Sequence, residues 1–124
     1  MPRVRLRSVP DQAVLVVRGD ELDPEVIRVD ASNFRDRFSA WNRYGVSAFL
    51  AADESEVDAL CAARLIRFST VVIFRVADIV AVGVEIVPTF RTPHVTLCHI
   101  ELEALIDKLR SCKHQTRPNP YHEG

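Results

Sequence analysis

The sequence predicts an α+β fold: a single compact domain in which a mixed sheet of about five strands packs with three helices. Three observations carry that expectation. Apolar, β-branched runs alternate with segments of helical periodicity along the 124 residues, the pattern of a layered α/β or α+β domain. The last three strand candidates (70–76, 84–90 and 94–99) have no long helix between them, which calls for antiparallel pairing. A composition of 48% hydrophobic and 27% charged residues belongs to a chain that can bury a core, at a length typical of one domain. The domain is expected over residues 1–115, with 116–124 as a C-terminal tail.

Each element has its own signal. "VRLRSV" near the N-terminus alternates apolar and basic residues, as an edge strand would, and "AVLVV" (13–17) is a buried strand that stops at Arg18-Gly19. Asp23-Pro24 combines an N-capping side chain with proline at the first helical position. Phe34, Phe38 and Trp41 then recur at i, i+4, i+7, so one helix is expected to run until Tyr44-Gly45. "VSAFLA" (46–51) is the next strand. Asp53 and Glu56 form an Asp-x-x-Glu variant of the capping box, opening a helix whose inner face is Val57, Leu60, Cys61, Leu65 and Phe68. "TVVIFRV" (70–76) is the clearest strand. "ADIVAVG" makes a single helical turn closed by Gly83, "VEIVPTF" (84–90) another strand, and "HVTLCH" a last one. "ELEALIDKLR" is an amphipathic helix with Leu102, Leu105, Ile106 and Leu109 inward. The tail "TRPNPYHEG", with two prolines and a glycine, is expected to be mobile unless docked.

Bulk properties exclude several classes. A formal charge of −1 exerts no global pull on nucleic acid or anionic membrane. The 16 basic residues are 14 Arg and 2 Lys, a bias that codon usage accounts for more simply than ligand binding. Three cysteines without a CxxC pair argue against a disulfide framework and against a zinc knuckle. The apolar run ahead of Arg18 is too short for a signal peptide, and no span approaches transmembrane length. A cytoplasmic protein with reduced thiols is therefore expected, with no membrane partner.

Candidate chemistry centres on "TFRTPHVTLCH" (89–99). On a strand, His94, Thr96 and Cys98 share one face and His99 points to the other. A histidine beside a hydroxyl on a rigid strand can move a proton and bind a phosphate oxygen, so His94 is the candidate general acid/base, Thr96 a hydrogen-bond donor, and Arg91 a phosphate binder. "PHVTL" resembles the His-x-Thr element of two-histidine phosphoesterases, which act on RNA-type phosphodiesters. That family uses two such elements, and the surroundings of His99, His114 and His122 supply no second one.

Arg18-Gly19 is the second candidate, a phosphate clamp made of an arginine at a strand end and a glycine that permits close backbone approach, so that Arg18 joins Arg91 as a phosphate binder. With "GVSAF" (45–49) on the next strand, the order resembles ADP-ribosyltransferases, in which an Arg and a Ser grip NAD and a Glu orients the ribose. That resemblance implies Arg18 and Ser47 as binders, Glu85 or Glu101 as the carboxylate, and NAD as co-substrate; otherwise no cofactor is expected. No metal site is assigned, because His94-x3-Cys98 is the sole ligand-like spacing and suits a helix better than a strand. Arg35, Arg37 and Arg43, with the N-terminal arginines, could form a basic face for RNA or an acidic protein.

Two classes of function follow. One is a small intracellular enzyme acting on a phosphate-bearing substrate (RNA, or a nucleotide such as NAD), of a size that suits the toxin of a toxin–antitoxin pair. The other is a non-catalytic binding or regulatory module, whose polar strand and "NPYHEG" tail contact a protein partner or a second copy of the chain.

Overall fold

β1 (Leu15–Gly19) is flanked by two longer strands, β2 (Tyr44–Ala51) and β3 (Thr70–Arg75), and everything else is arranged outward from these three. The computed structural model describes residues 15–20, 22–91 and 93–122. The sequence-predicted strand "VRLRSV" and the start of "AVLVV" lie outside them. Among the described residues there are six strands, in the order β4-β5-β2-β1-β3-β6, and four α-helices. The outer strands are β4 (Glu85–Pro88), β5 (His94–His99) and β6 (His114–Pro118). Every pairing in this sheet is antiparallel. The chain is thus an α+β domain, with one strand and one helix more than the approximate count expected.

α1 (Pro24–Arg37) begins as the sequence predicts: Asp23 Oδ1 accepts from the backbone N–H groups of Glu25 (2.8 Å) and Val26 (3.3 Å). It ends earlier than expected. Phe38 leaves helical geometry, Ser39–Trp41 form a single 3-10 turn, and Asn42 closes it in the left-handed region at φ 53°. Tyr44-Gly45, expected to stop the helix, belong instead to β2. Gly45 is needed there for lack of room, since a Cβ would lie 2.5 Å from Thr96 Cγ2 and 2.8 Å from the Phe34 ring.

α2 (Glu54–Ala62) has its capping box, with Asp53 Oδ1 accepting from Glu56 N–H (3.0 Å) while Glu56 Oε1 accepts from Ala52 N–H (2.9 Å). The helix stops six residues short of Phe68, and residues 63–67 form turns. α3 (Val76–Ala81) is the expected short helix before Gly83, which sits at φ 85°. α4 (Leu102–Ser111) buries Leu105, Ile106 and Leu109. The first residues of the segment expected as a tail, 116–118, belong to β6, which pairs from Thr70↔Pro118 to Phe74↔His114 along β3.

The sheet is covered on both faces. Val16, Val46, Val72, Val95 and Leu97 pack with Ile27 and Ala31 of α1 and with the inner face of α4. The alternate residues Val17, Val71 and Ile73 pack under Val57, Leu60 and Cys61 of α2. Farther along that second face, Phe34 and Phe38 cover Val87 and Cys98, with Trp41 beside them. Among the described residues no helix is long and apolar enough to cross a membrane.

The tight approach at Gly45 gives a stability prediction. Gly45→Ala forces the Phe34 ring or Thr96 to move, and is expected to cost about 1–3 kcal/mol as overpacking. Urea unfolding followed by far-UV circular dichroism measures it, and an unchanged midpoint would show that the contact yields freely.

Candidate functional site

Among the described residues the β1–β2 ladder runs from Leu15↔Ala51 to Val17↔Phe49. Beyond that point Ser47 still pairs with Thr96 of β5, but its other side is met by side chains. Ser47 N–H donates to Asp30 Oδ2 (3.3 Å), and the Ser47 carbonyl accepts from Arg18 Nη1 (2.8 Å). The same Nη1 donates to Asp30 Oδ2 at 2.9 Å. Arg18 is only 6% exposed, and its Nε, also buried, has no acceptor among the described residues. An ion pair has replaced the next rungs of the ladder.

A cleft of about 410 Å³ opens over this parting. Arg18, Gly19, Ser47, Phe49 and His94 line it from the sheet, Val26 and Asp30 from α1, and Arg64, Leu65, Arg67 and Phe68 from the turns after α2, with Asp20 at the end of β1. The Phe68 ring occupies the space above Gly19, where a Cβ would come within 2.3 Å of it. The close approach that glycine permits is therefore taken by a phenylalanine of the same chain. Arg64 lies over the Phe49 ring at 5.7 Å and Arg67 over the Phe68 ring at 5.0 Å. Neither forms an ion pair with the described residues.

His94 is half-buried between two rings, edge-on to Phe49 (5.2 Å) and Phe90 (5.0 Å). Its Nδ1 is 2.8 Å from Thr89 Oγ1, which is also 2.8 Å from Thr96 Oγ1. Burial pushes the imidazole below its ordinary 6.5, the Thr89 backbone partly offsets this, Arg64 adds to the lowering, and Asp30 opposes it. Each lowering cause favours the neutral ring. With Nδ1 held by Thr89, Nε2 is the nitrogen left for a ligand.

Of the five sequence-predicted site residues, the structure brings Arg18, Ser47 and His94 to one cleft. Thr96 is not on its wall: it is 1% exposed and its hydroxyl is bonded to Thr89, one layer behind His94. Arg91 is exposed in the β4–β5 turn and is not among the cleft residues; its carbonyl accepts from His94 N–H at 2.8 Å. Glu85 pairs with Arg43 (2.8 Å), Glu101 precedes α4, and neither lines the cleft. Cys98 shares the face of His94 but sits in a separate small cavity of about 180 Å³ with Trp41, Arg43, Glu85 and Val87. The basic face is partly spent internally, with Arg35 over Tyr44, Arg37 over Phe38 and Arg43 on Glu85. Among the described residues no three His, Cys, Asp or Glu side chains gather as metal ligands would.

Sequence reasoning missed Asp30, Arg64, Arg67 and Thr89. Thr89 lay inside the segment singled out, five residues before His94. Arg64 and Arg67 looked like the solvated side of a longer α2. Comparison of the chain with protein-family models, with curated proteins and with solved structures finds no match.

Two measurements check this geometry. By NMR, His94 is expected to titrate below 6.5. Because its folded value lies below its unfolded one, its contribution to stability is present above about pH 6.5 and is lost as pH falls, and His94→Gln should flatten that slope. Asp30→Ala leaves the Arg18 guanidinium buried against one carbonyl, and is expected to cost about 1–3 kcal/mol in urea unfolding.

Proposed function

We propose that the cleft binds a phosphate-bearing ligand of nucleotide size and that His94 acts there as general base. The supporting observation is that three guanidinium groups and one imidazole line a single cavity, with Arg18 Nε buried and without an acceptor among the described residues. Asp30 engages one of the three arginines, so Arg64 and Arg67 are the cations left for an anion. Guanidinium groups suit phosphate because they present parallel donors to two of its oxygens. The volume falls within the roughly 300–1,000 Å³ of small-molecule sites.

A neutral His94 can accept, at Nε2, the proton of a hydroxyl or water attacking phosphorus, and return it to the leaving oxygen. In RNA the attacking group would be the 2′-hydroxyl, so RNA and a mononucleotide make the same demand on the site. Thr96 then acts through Thr89, fixing the ring rather than touching substrate. The alternative with NAD gripped by Arg18 and Ser47 retains those two residues, but the carboxylates named for it, Glu85 and Glu101, do not line the cleft, whose described carboxylates are Asp20 and Asp30. The phosphate reading is preferred on that ground. Three buried, unpaired thiols fit a reducing compartment and so a cytoplasmic setting, whereas a toxin role gains nothing from the fold.

The test is titration with adenosine monophosphate and with a short RNA, followed by amide chemical shifts. Saturable shifts at Gly19, Ser47, Arg64 and Phe68 are expected, and Arg64→Ala and Arg67→Ala should each weaken binding about tenfold, as loss of a charge-assisted bond does. His94→Gln should keep binding while slowing phosphodiester or phosphomonoester cleavage by about 10²–10⁴. Binding without cleavage in the unaltered protein would favour the non-catalytic module, and no shifts with either compound would refute the site.

A further inference from the structure

The two arginines of the cleft that form no ion pair with the described residues, Arg64 and Arg67, stand on a segment with little regular structure of its own. α2 ends at Ala62, and Arg64 and Arg67 lie in the turns before β3. What holds this segment comes from the far end of the chain. Asn119, 5% exposed, donates through Nδ2 to the carbonyls of Cys61 (3.2 Å) and Leu65 (2.9 Å). Its backbone N–H donates to the Ser69 carbonyl at 2.8 Å. Tyr121 N–H donates back to Asn119 Oδ1 (3.0 Å), Tyr121 Oη donates to Asp58 (2.7 Å), and His122 Nδ1 lies 3.1 Å from the Ile66 carbonyl oxygen. The last residues therefore grip the segment at 58, 61, 65, 66 and 69.

The bonds at Cys61 and Leu65 matter most. Leu65 N–H bonds to the Leu60 carbonyl rather than to Cys61, so the helix's own pattern has already broken and the Cys61 carbonyl takes the asparagine amide. We propose that Asn119 is a positioning residue: by fixing the turns after α2 it places Arg64 and Arg67 at the cleft and sets its affinity for phosphate. This rests on the phosphate-binding reading above. Asn119 itself is not among the cleft residues, so its effect passes through the segment it holds.

The experiment uses Asn119→Asp, which keeps the size and the acceptor for Tyr121 but turns a carboxylate toward two carbonyl oxygens. Hydrogen exchange and affinity for adenosine monophosphate are measured on the full chain. Exchange at the bonded amides of Leu65, Ile66 and Phe68 is expected to rise at least about tenfold while the β1 and β3 amides stay protected, and affinity to fall about tenfold, as when buried carbonyls lose their donor. A general loss of stability would instead raise exchange in β1 and β3 equally, and that pattern overturns the proposal. So does unchanged local exchange, or raised local exchange with unaltered affinity. If Asn119→Asp does not fold, Tyr121→Phe removes only the Asp58 bond, and the same local pattern at smaller amplitude is required. Should the unaltered protein bind no adenosine monophosphate, the functional reading fails by itself, and the exchange comparison alone decides whether Asn119 holds the segment.

Discussion

A guanidinium and a carboxylate do the work of a strand where β1 and β2 part. A backbone N–H and C=O that leave a strand ladder take other partners where the fold offers them. Ser47 finds Asp30 for one and Arg18 for the other, at 3.3 and 2.8 Å. The sheet can therefore open at its centre without leaving that residue's groups unpaired on the open side, and α1 is tied to the opening because Asp30 belongs to it. Burying the arginine is costly, and its one resolved ion-pair partner, a single Asp30 oxygen, does not satisfy Nε. Arg18 lines the cleft, and its Nε is a buried donor that no described residue of the chain uses.

The two layers follow from that opening. On one face α1 and α4 close over the central strands, and on the other α2 covers only β1, β3 and the end of β2. The aromatic group of Phe34, Phe38 and Trp41 covers the far end, where β2 meets β5 and β4. Between these two covers the second face is bare around Ser47 and His94, which is where the cleft lies. The cleft is thus a gap in the covering of the sheet, and it takes its charge from Arg64 and Arg67, which follow directly on α2.

Local signals were legible in the sequence. Asp23-Pro24 and the Asp53/Glu56 pair opened the helices they predicted, and alternation along "HVTLCH" put Val95 and Leu97 in one core and Cys98 in another. What was not legible depends on residues far apart. α2 has no glycine or proline to stop it, and its end is met by Asn119, whose amide donates to carbonyls 58 and 54 residues earlier. The end of α1 was obscured for a related reason: Phe34, Phe38 and Trp41 do meet on one patch, but through a break in the helix that periodicity does not register. The segment 116–124 looked like a tail because its prolines and polar residues have no strand pattern. Its residues 116–118 close β6, which among the described residues pairs on one side only, so its exposed side chains need no alternation. Of the candidate site, Arg18, Ser47 and His94 could be named, while Asp30, Arg64 and Arg67 could not, because nothing local distinguishes a cleft arginine from a solvated one.

His94 and Thr96 show how strand parity can be right while the role it implies changes. The two share a face, as alternation requires, but only His94 reaches the cleft. Thr89, across the β4–β5 turn, brings its hydroxyl between them, and a residue in the left-handed region, Phe90 at φ 57°, makes that turn possible while its ring packs on the imidazole. A lone hydroxyl beside a histidine could equally contact a ligand or the ring. Buried at 1% and bonded to Thr89, Thr96 is tied to the ring. The pair of threonines therefore fixes one nitrogen of His94, which limits the other to a single direction, and that restriction is what a proton-transferring imidazole requires of the residues behind it.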